Sequence, residues 1–215
     1  PRTLGQSARE SFVDYANARE NVITVYPGVT MGEVTKALTN LDVVNGGTLR
    51  FAEGTFLFTT VTFIIPDRVT VEGAGVDKTI IDFQGNAGGF NLIGTSTAIK
   101  QNNNIRDFTL QNSNNTAGVD VEFADFFRIE NLRITSCDQK GLRVQHSQFF
   151  TIENTRTDNN TGNGTEIDGS ATRTVQNFSI LNGKSDTNGG IGFALAGNST
   201  TLIDSSLINC VSASN

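Results

Sequence analysis

Apolar and polar residues alternate along most of this chain, and from residue 85 onward the alternation returns at a regular interval. The phrase at residues 128–134 (RIENLRI) is answered 23 residues later at residues 151–157 (TIENTRT). The apolar residue that opens each copy falls at Ile105, Ile129, Ile152, Val175 and Leu202, with spacings of 24, 23, 23 and 27. We attribute the longer last spacing to an outward bulge of residues 184–190. Regular repeats of this length, built from alternating Val, Ile, Phe and Thr, predict a solenoid whose coils consist of parallel strands.

The first part of the chain follows a different pattern. Residues 1–21 carry charges without a clear period, so we interpret them as an N-terminal arm or lead-in and assign residues 22–215 to one solenoid domain. Over residues 30–41 apolar residues recur at helical spacing, and Thr30 with Glu33 forms a capping-box pattern at the start. The sequence therefore predicts one short amphipathic helix ahead of the regular coils.

Stacked coils place equivalent residues above one another. Two residues after each opening apolar residue, the chain carries a polar column of Asp107, Asn131, Asn154, Asn177 and Asp204. We interpret this column as a ladder of amide hydrogen bonds at a tight bend, because Asn tolerates the left-handed turn conformation and pairs along a stack. Cys137 and Cys210 fall in one column three coils apart, about 14 Å at the usual strand spacing, so both are predicted to be free thiols.

Composition and charge narrow the functional classes. The formal net charge is −6 and the chain has no basic run, which argues against a nucleic-acid-binding surface, since phosphate binding needs clustered Lys and Arg. No apolar run approaches the roughly 18 residues of a membrane-spanning helix. We therefore expect neither a nucleic-acid partner nor a membrane span.

Several N-terminal stretches resemble a known superfamily. The segments 24–28 (TVYPG), 46–56 (GGTLRFAEGTF), 69–75 (VTVEGAG) and 78–82 (KTIID), together with the helix, resemble the first coils of pectin-lyase-like proteins. The resemblance implies an all-β, right-handed, single-stranded parallel β-helix with coils of about 23–27 residues and an N-terminal capping helix. Polysaccharide lyases, glycoside hydrolases, epimerases and phage tailspikes belong to this superfamily. The resemblance therefore implies a polysaccharide partner and an extracellular or virion-surface location.

The carbohydrate cleft of this superfamily usually runs along the outer face of one sheet. Candidate strands begin at the glycines Gly118, Gly141, Gly164 and Gly190. Alternation directs one set inward: Val119, Val121, Leu142, Val144, Thr165, Ile167, Ile191 and Phe193. The outward set forms two columns, Asp120–Arg143–Glu166 and Glu122–Gln145–Asp168, with Asn91 before them and the small Gly192 and Ala194 after them.

We expect Asp120, Glu166, Asp168 and Arg143 to be catalytic and Asn91, Glu122 and Gln145 to contact the sugar. Carboxylates two coils apart, or two residues apart on one strand, can approach the roughly 6.5–9.5 Å separation of inverting glycosidases. A lyase would instead use Arg143 as base or to neutralise a uronate, with acidic residues holding Ca²⁺; no other cofactor is expected. The same side chains also fit a solvated charge ladder without catalysis.

Family motifs do not decide between these alternatives. The chain lacks the paired-aspartate and Gly-His-Gly motifs of polygalacturonases, the Asp-Pro-His-Glu motif of mannuronan epimerases and a clear calcium-binding Asp cluster of pectate lyases. The only histidine, His146, is expected at a turn in a hydrogen-bonding role. One hypothesis is a polysaccharide-binding protein that cleaves as a lyase or glycoside hydrolase.

The other hypothesis is a non-catalytic structural or adhesive module of a phage tail fibre or spike, or of a surface adhesin. An open solenoid end exposes strand edges and apolar core. We therefore expect the chain to continue beyond Asn215 or to be covered there by another subunit or domain, for example in a homotrimer.

Overall fold

A computed structural model describes residues 13–14, 21–59, 61–169, 174–197 and 202–213. In chain order the first elements are β1 (Val13–Asp14), β2 (Val22–Val25), α1 (Met31–Val43), β3 (Gly47–Phe51), β4 (Gly54–Leu57), β5 (Thr62–Ile64), β6 (Val69–Glu72), β7 (Thr79–Asn86), β8 (Gly89–Ile93), β9 (Lys100–Gln101), β10 (Asn104–Ser113) and β11 (Ala117–Glu122). They are followed by β12 (Ala124–Asp125), β13 (Arg128–Thr135), β14 (Lys140–Gln145), β15 (Gln148–Glu153), β16 (Arg156–Asp158), β17 (Thr165–Gly169), β18 (Val175–Leu181), β19 (Lys184–Asp186), β20 (Phe193–Gly197), β21 (Leu202–Ile208) and β22 (Val211–Ala213). Most of the predicted N-terminal arm lies outside the described residues.

The strands wind into a right-handed parallel β-helix of about seven turns, as predicted. Six strands, in the order β20-β17-β14-β11-β8-β5, form sheet B, which is entirely parallel. The other sixteen form sheet A, which covers the remaining faces of the solenoid. The short strand β1 pairs antiparallel with β2 and is the exception to the parallel pairing within sheet A.

The helix α1 begins where the sequence predicts. Thr30 is the N-cap, its hydroxyl accepts from the Glu33 backbone N–H, and the Glu33 carboxylate accepts from the Thr30 N–H at 2.8 Å. The buried residues Val34, Ala37, Leu38 and Leu41 pack on the core at the N-terminal end. An amphipathic helix at this position keeps water from the first coil, since an uncovered solenoid end exposes apolar core.

Aromatic side chains fill the bore of the solenoid. The first coils enclose a group of fully buried phenylalanines: Phe51, Phe56, Phe58, Phe63, Phe83, Phe90 and Phe108. Several of these rings meet edge to face, as Phe51 and Phe56 do at 5.0 Å. In later coils the rings of Phe127, Phe150 and Phe178 stack in parallel at 4.7 and 4.9 Å, because equivalent residues lie one strand spacing apart.

Columns of left-handed residues, with φ between 48° and 64°, make the bends of successive coils. The pairing register defines three of them. We call them the aromatic column (Asn102, Phe126, Phe149, Asn177, Asp204), the amide column (Asp107, Asn131, Asn154, Asn182, Asn209) and the third column (Asn112, Ser136, Asn159, Thr187). Asn and Asp predominate because they tolerate this conformation better than other residues with a side chain.

The amide ladder exists, but its last members differ from the prediction. Asn154 donates to Asn131, Asn182 donates to Asn154, and Asn209 donates to Asn182, at 3.0–3.2 Å. Ile152 pairs with Ile180 rather than with Val175, so this coil has 28 residues and not 23. The extra residues lie between β17 and β18 and not at 184–190. Before them Thr165 pairs with Leu142 at a spacing of 23 residues, and after them Gln176 pairs with Gln148 at a spacing of 28. The residues Val-Gln-Asn at 175–177 resemble the repeated phrase, and only the backbone pairing shows that Ile180 and not Val175 is the counterpart of Ile152.

The same shift corrects three further predictions. Cys137 and Cys210 do not share a column. Asn160 occupies the position of Cys137 in the next coil, whereas Cys210 stacks on Gly183, because Val211 pairs with Lys184. Both cysteines are nevertheless free thiols. The glycine column ends at Gly192 rather than Gly190, and Ile191 is exposed and not inward, because Phe193 is the partner of Thr165.

Candidate functional site

The outer face of sheet B carries both columns that the sequence predicts. In register they read Asn91–Asp120–Arg143–Glu166–Ala194 and Ile93–Glu122–Gln145–Asp168–Ala196. Neighbouring strands lie about 4.8 Å apart, so residues two places apart in a column are separated by about 9.6 Å at the backbone. Ala196, and not the predicted Gly192, is the second small residue at the C-terminal end of this face.

Asp120 and Arg143 form a bidentate ion pair. The Arg143 Nε donates to Asp120 Oδ1 at 2.8 Å, and its Nη2 donates to Oδ2 at 2.6 Å. Asp120 is only 3% exposed, so the prediction that it lines an exposed face is wrong: the guanidinium covers it. Burial lowers the pKa of Arg143, but the hydrogen bonds and charge of Asp120 outweigh burial and raise this pKa above its ordinary value. A guanidinium in this state is a poor general base, because it holds its proton more tightly than usual.

Glu166 is also held by neighbours. Its Oε1 lies 2.7 Å from the Lys140 Nζ, and its Oε2 accepts from the Asn163 amide at 2.6 Å. The side chain is 13% exposed. Lys140 and Asn163 were not singled out in the sequence, although both lie near the glycine that opens a sheet B strand.

The carboxylates of the second column, Glu122 and Asp168, make fewer contacts with other side chains than Asp120 and Glu166 do. Glu122 Oε1 lies 3.3 Å from Nδ1 of His146, and the imidazole stacks on the ring of Phe123 at 4.6 Å. His146 is thus a nearly buried bend residue with φ 52°, as the sequence predicts. The Asp168 carboxylate is half-buried, and no described side chain donates a hydrogen bond to it. Asp168 is therefore the carboxylate of this face that has no side-chain partner among the described residues.

A groove crosses the N-terminal end of the same face. One cavity of about 240 Å³ lies between α1 and the start of sheet B, and a second of about 350 Å³ lies beside the segment 93–100. Lys100 lines both, and it forms no ion pair with any described carboxylate. Ile64 and Ile93 line the groove together with polar residues such as Thr62. The groove depends on where α1 packs, and the sequence pattern therefore gave no sign of it.

Asn91 stands between this groove and the charged columns. Its amide Oδ1 is buried and accepts no hydrogen bond from the described residues. A buried amide oxygen without a donor is uncommon and is usually satisfied by water or a ligand. The position fits the sugar-contacting role predicted for Asn91.

The charged side chains on sheet A have a different organisation. Glu72 lies between Arg50 at 2.6 Å and Arg106 at 2.7 Å, and Arg128 lies between Glu130 and Glu153 at 2.8 and 2.5 Å. Opposite charges alternate among these residues and compensate one another. Sheet B, in contrast, retains in Asp168 a carboxylate without a side-chain partner among the described residues.

Within the described ranges, no group of three or more His, Cys, Asp or Glu is arranged to hold a metal ion. No described helix has both the length and the apolar character needed to cross a bilayer. A calcium requirement remains a prediction tied to lyase chemistry.

Comparisons with known proteins agree with the fold. The family model described as "Right handed beta helix region" matches residues 69–214. Among solved structures, ORF18 of Geobacillus virus E2 has a TM-score of 0.71 at 16% identity, covering 87% of this chain and 41% of the viral protein. The A-module of mannuronan C-5 epimerase AlgE6 from Azotobacter vinelandii has a TM-score of 0.55 at 16% identity, covering 82% of this chain and 64% of the module.

Polygalacturonase from Erwinia carotovora has a TM-score of 0.54 at 14% identity, covering 90% of this chain and 69% of the enzyme. A comparison with curated protein sequences gives no significant match. At these identities the likenesses show the fold alone. The chain spans less than half of the viral protein and less than two thirds of the epimerase module.

Proposed function

The chain belongs to the family of proteins with a right-handed β-helix region, and we propose that it binds a polysaccharide along the outer face of sheet B. The observation that carries this proposal is the continuity of that face. The groove at its N-terminal end, which has Ile64 and Ile93 beside polar side chains, leads past Asn91 to the two polar columns, one of which contains the unpaired Asp168. Ligand sites typically combine apolar surface with a few convergent polar groups.

The structural neighbours support a carbohydrate partner. The epimerase and the polygalacturonase share the fold and are named for uronic-acid polymers. A linear polymer fits a surface whose chemistry changes stepwise along the solenoid axis, from Ile64 and Ile93 through the carboxylates to Ala194 and Ala196. We expect the sugar chain to lie parallel to that axis.

The side chains of the face divide into two groups. Asp120, Arg143 and Glu166 are engaged in strong pairs, so we assign them a supporting role in place of the predicted catalysis. Asp168 keeps its catalytic assignment, with Glu122 of the same column as its partner. Their backbones lie about 9.6 Å apart, so side-chain rotation can bring the two carboxyl groups within the roughly 6.5–9.5 Å of inverting hydrolases. Their environments differ, since Glu122 contacts His146 and Asp168 is unpaired, and such a difference is what an acid and base pair requires.

A panel of polysaccharides tests this proposal. Binding is measured by affinity electrophoresis, and cleavage is followed by reducing ends and by the absorbance of unsaturated products. We expect Asp168→Asn to lower cleavage about 100-fold or more while binding persists. Glu130→Gln, on the outer face of sheet A, is the matched control and leaves both unchanged. Cleavage that survives both Asp168→Asn and Glu122→Gln rejects the site, and a panel without binding or cleavage rejects the function.

A second candidate is a structural module of a virus particle, which the viral neighbour and the C-terminal end favour. The solved structure with a TM-score of 0.71 is a viral protein, and this chain covers 41% of it. The C-terminal coil exposes a set of large apolar residues: Ile191, Leu195, Leu207, Ile208 and Val211. An exposed apolar surface of this kind is typical of a site that contacts another protein surface.

Light scattering distinguishes the two candidates. A trimer that dissociates when Leu207→Ser and Val211→Ser are combined, in a protein that binds no polysaccharide, supports the structural module. A monomer that binds polysaccharide supports the carbohydrate-binding face. Leu57→Ser, at an exposed residue near the opposite end, is the control for added polarity alone.

A further inference from the structure

Phe126 and Phe149 occupy backbone positions that are unfavourable for them. Both have left-handed φ values, 54° and 56°, and both belong to the aromatic column, where Asn102 and Asn177 stand in the adjoining coils. A bulky side chain in this conformation is a genuine outlier, whereas Asn adopts it readily. The two phenylalanines therefore cost stability that asparagine at the same positions would not.

Burial does not offset this cost. Phe126 is 52% exposed and Phe149 is 43% exposed, and their rings stack on each other at 4.9 Å with an interplanar angle of 7°. Their chain neighbours Phe127 and Phe150 already fill the core below them. Strained residues that packing does not explain concentrate at functional sites.

The asparagines on either side of the two phenylalanines in this column have side-chain amides without a hydrogen-bond partner among the described residues. Neither the Asn102 nor the Asn177 side chain makes a hydrogen bond to another described residue. The amide column behaves differently, because each of its asparagines donates to the preceding member. One column is thus satisfied by its own ladder, while the other presents free amides on both sides of exposed rings.

The aromatic column also adjoins the proposed site. Phe149 follows Gln145 of sheet B by four residues, so their Cα atoms lie at most about 14 Å apart. Two half-exposed phenylalanines offer roughly 200 Å² of apolar surface, far below the about 800 Å² per partner of a stable protein interface. A small apolar patch between amides matches a sugar chain, whose C–H faces pack on rings and whose hydroxyls bond amides.

We propose that the aromatic column is a second carbohydrate-contacting row, with Phe126 and Phe149 against the apolar part of a sugar chain and Asn102 and Asn177 bonding its hydroxyls. This row grips the polymer at the edge of sheet B and deepens the function proposed above, on which it rests. It adds affinity without taking part in cleavage.

The test replaces each phenylalanine by the residue that its own column prefers. We expect the double variant Phe126→Asn/Phe149→Asn to unfold at the same temperature as the parent or higher, and to bind the polysaccharide selected from the panel at least tenfold more weakly. Ser136→Asn/Thr187→Asn makes the same kind of change in the third column and should leave binding unchanged. Asn102→Gly/Asn177→Gly removes both amides without a described hydrogen bond and keeps residues that tolerate the left-handed conformation, so it should weaken binding severalfold with little change in stability.

Each other result contradicts the inference. If both column variants bind as the parent does while Glu122→Gln and Asp168→Asn alter binding or cleavage, sheet B is the site and the row is not part of it. A double phenylalanine variant that loses stability with intact binding identifies the stack as structural. A changed oligomeric state identifies a contact between copies. A parent that binds no polysaccharide overturns the proposed function and this row with it.

Discussion

The Asp120–Arg143 pair gives the sharpest prediction, because its two side chains are unequally buried. Asp120 is 3% exposed, whereas the Arg143 side chain is 17% exposed and reaches toward solvent. Removing the arginine with Arg143→Leu leaves a carboxylate inside the protein without either of its donors. Removing the acid with Asp120→Asn leaves a long cation that can turn into water.

The magnitudes follow from this asymmetry. Stranding one charge of a buried pair costs about 3 to 5 kcal/mol, and we expect the lower end for Arg143→Leu, because partial exposure lets water approach. For a chain of this length, about 3 kcal/mol lowers the unfolding temperature by roughly 6–12 °C. Asp120→Asn keeps the shape and should cost about 1 kcal/mol. The double variant should recover at least half of the arginine loss, because no charge is then stranded.

Urea unfolding followed by circular dichroism measures all four proteins. Midpoints are compared only where the slope with denaturant is unchanged, since solenoids can lose cooperativity. The interpretation fails if Asp120→Asn costs as much as Arg143→Leu, or if the double variant is no more stable than Arg143→Leu alone. Either outcome would place the Asp120 carboxylate in contact with water and return it to the list of catalytic candidates.

Two further predictions concern the interior. Asn160 is almost fully buried and bonds the Cys137 N–H, the Ile134 carbonyl and Asn188, so Asn160→Ala should lower the free energy of unfolding by about 2–3 kcal/mol in the same urea titration. The control Asn114→Ala, at an exposed residue, should lower it by less than about 1 kcal/mol. Burial raises the pKa of the Cys137 thiol from 9.0 to about 12. Between pH 9 and pH 12 the thiol therefore ionises in the unfolded chain but not in the folded protein. The contribution of the thiol to stability is complete below pH 9 and is lost as the pH rises from 9 to 12. As the pH rises across that range, the urea midpoint should fall less steeply for Cys137→Ala than for the parent, and equal slopes would contradict this. The prediction also fails if Cys137 reacts with a thiol reagent at pH 8 as fast as the less buried Cys210.

Much of the candidate site could be read from the sequence because a parallel solenoid converts spacing into position. Alternation along β11, β14 and β17 assigned the outward residues of sheet B correctly, since a strand has a period of two. The same logic failed at Val175, where a short imitation of the repeated phrase preceded the true partner Ile180 of Ile152. A phrase of three residues is too short to fix a register, and only backbone pairing distinguishes the two.

The sequence by itself determined the period of the coils up to residue 157, the capping helix, the direction of the side chains of β11, β14 and β17 and the existence of an amide ladder, because each follows from local periodicity. The tertiary structure decided which of those outward groups remain available. Arg143 covers Asp120, Lys140 holds Glu166, and Asp168 is left unpaired among the described residues. Side-chain reach across neighbouring coils sets these pairings, and a pattern of spacing does not encode it. The exposed rings of Phe126 and Phe149 became informative in the same way, once stacking placed them in a column of asparagines.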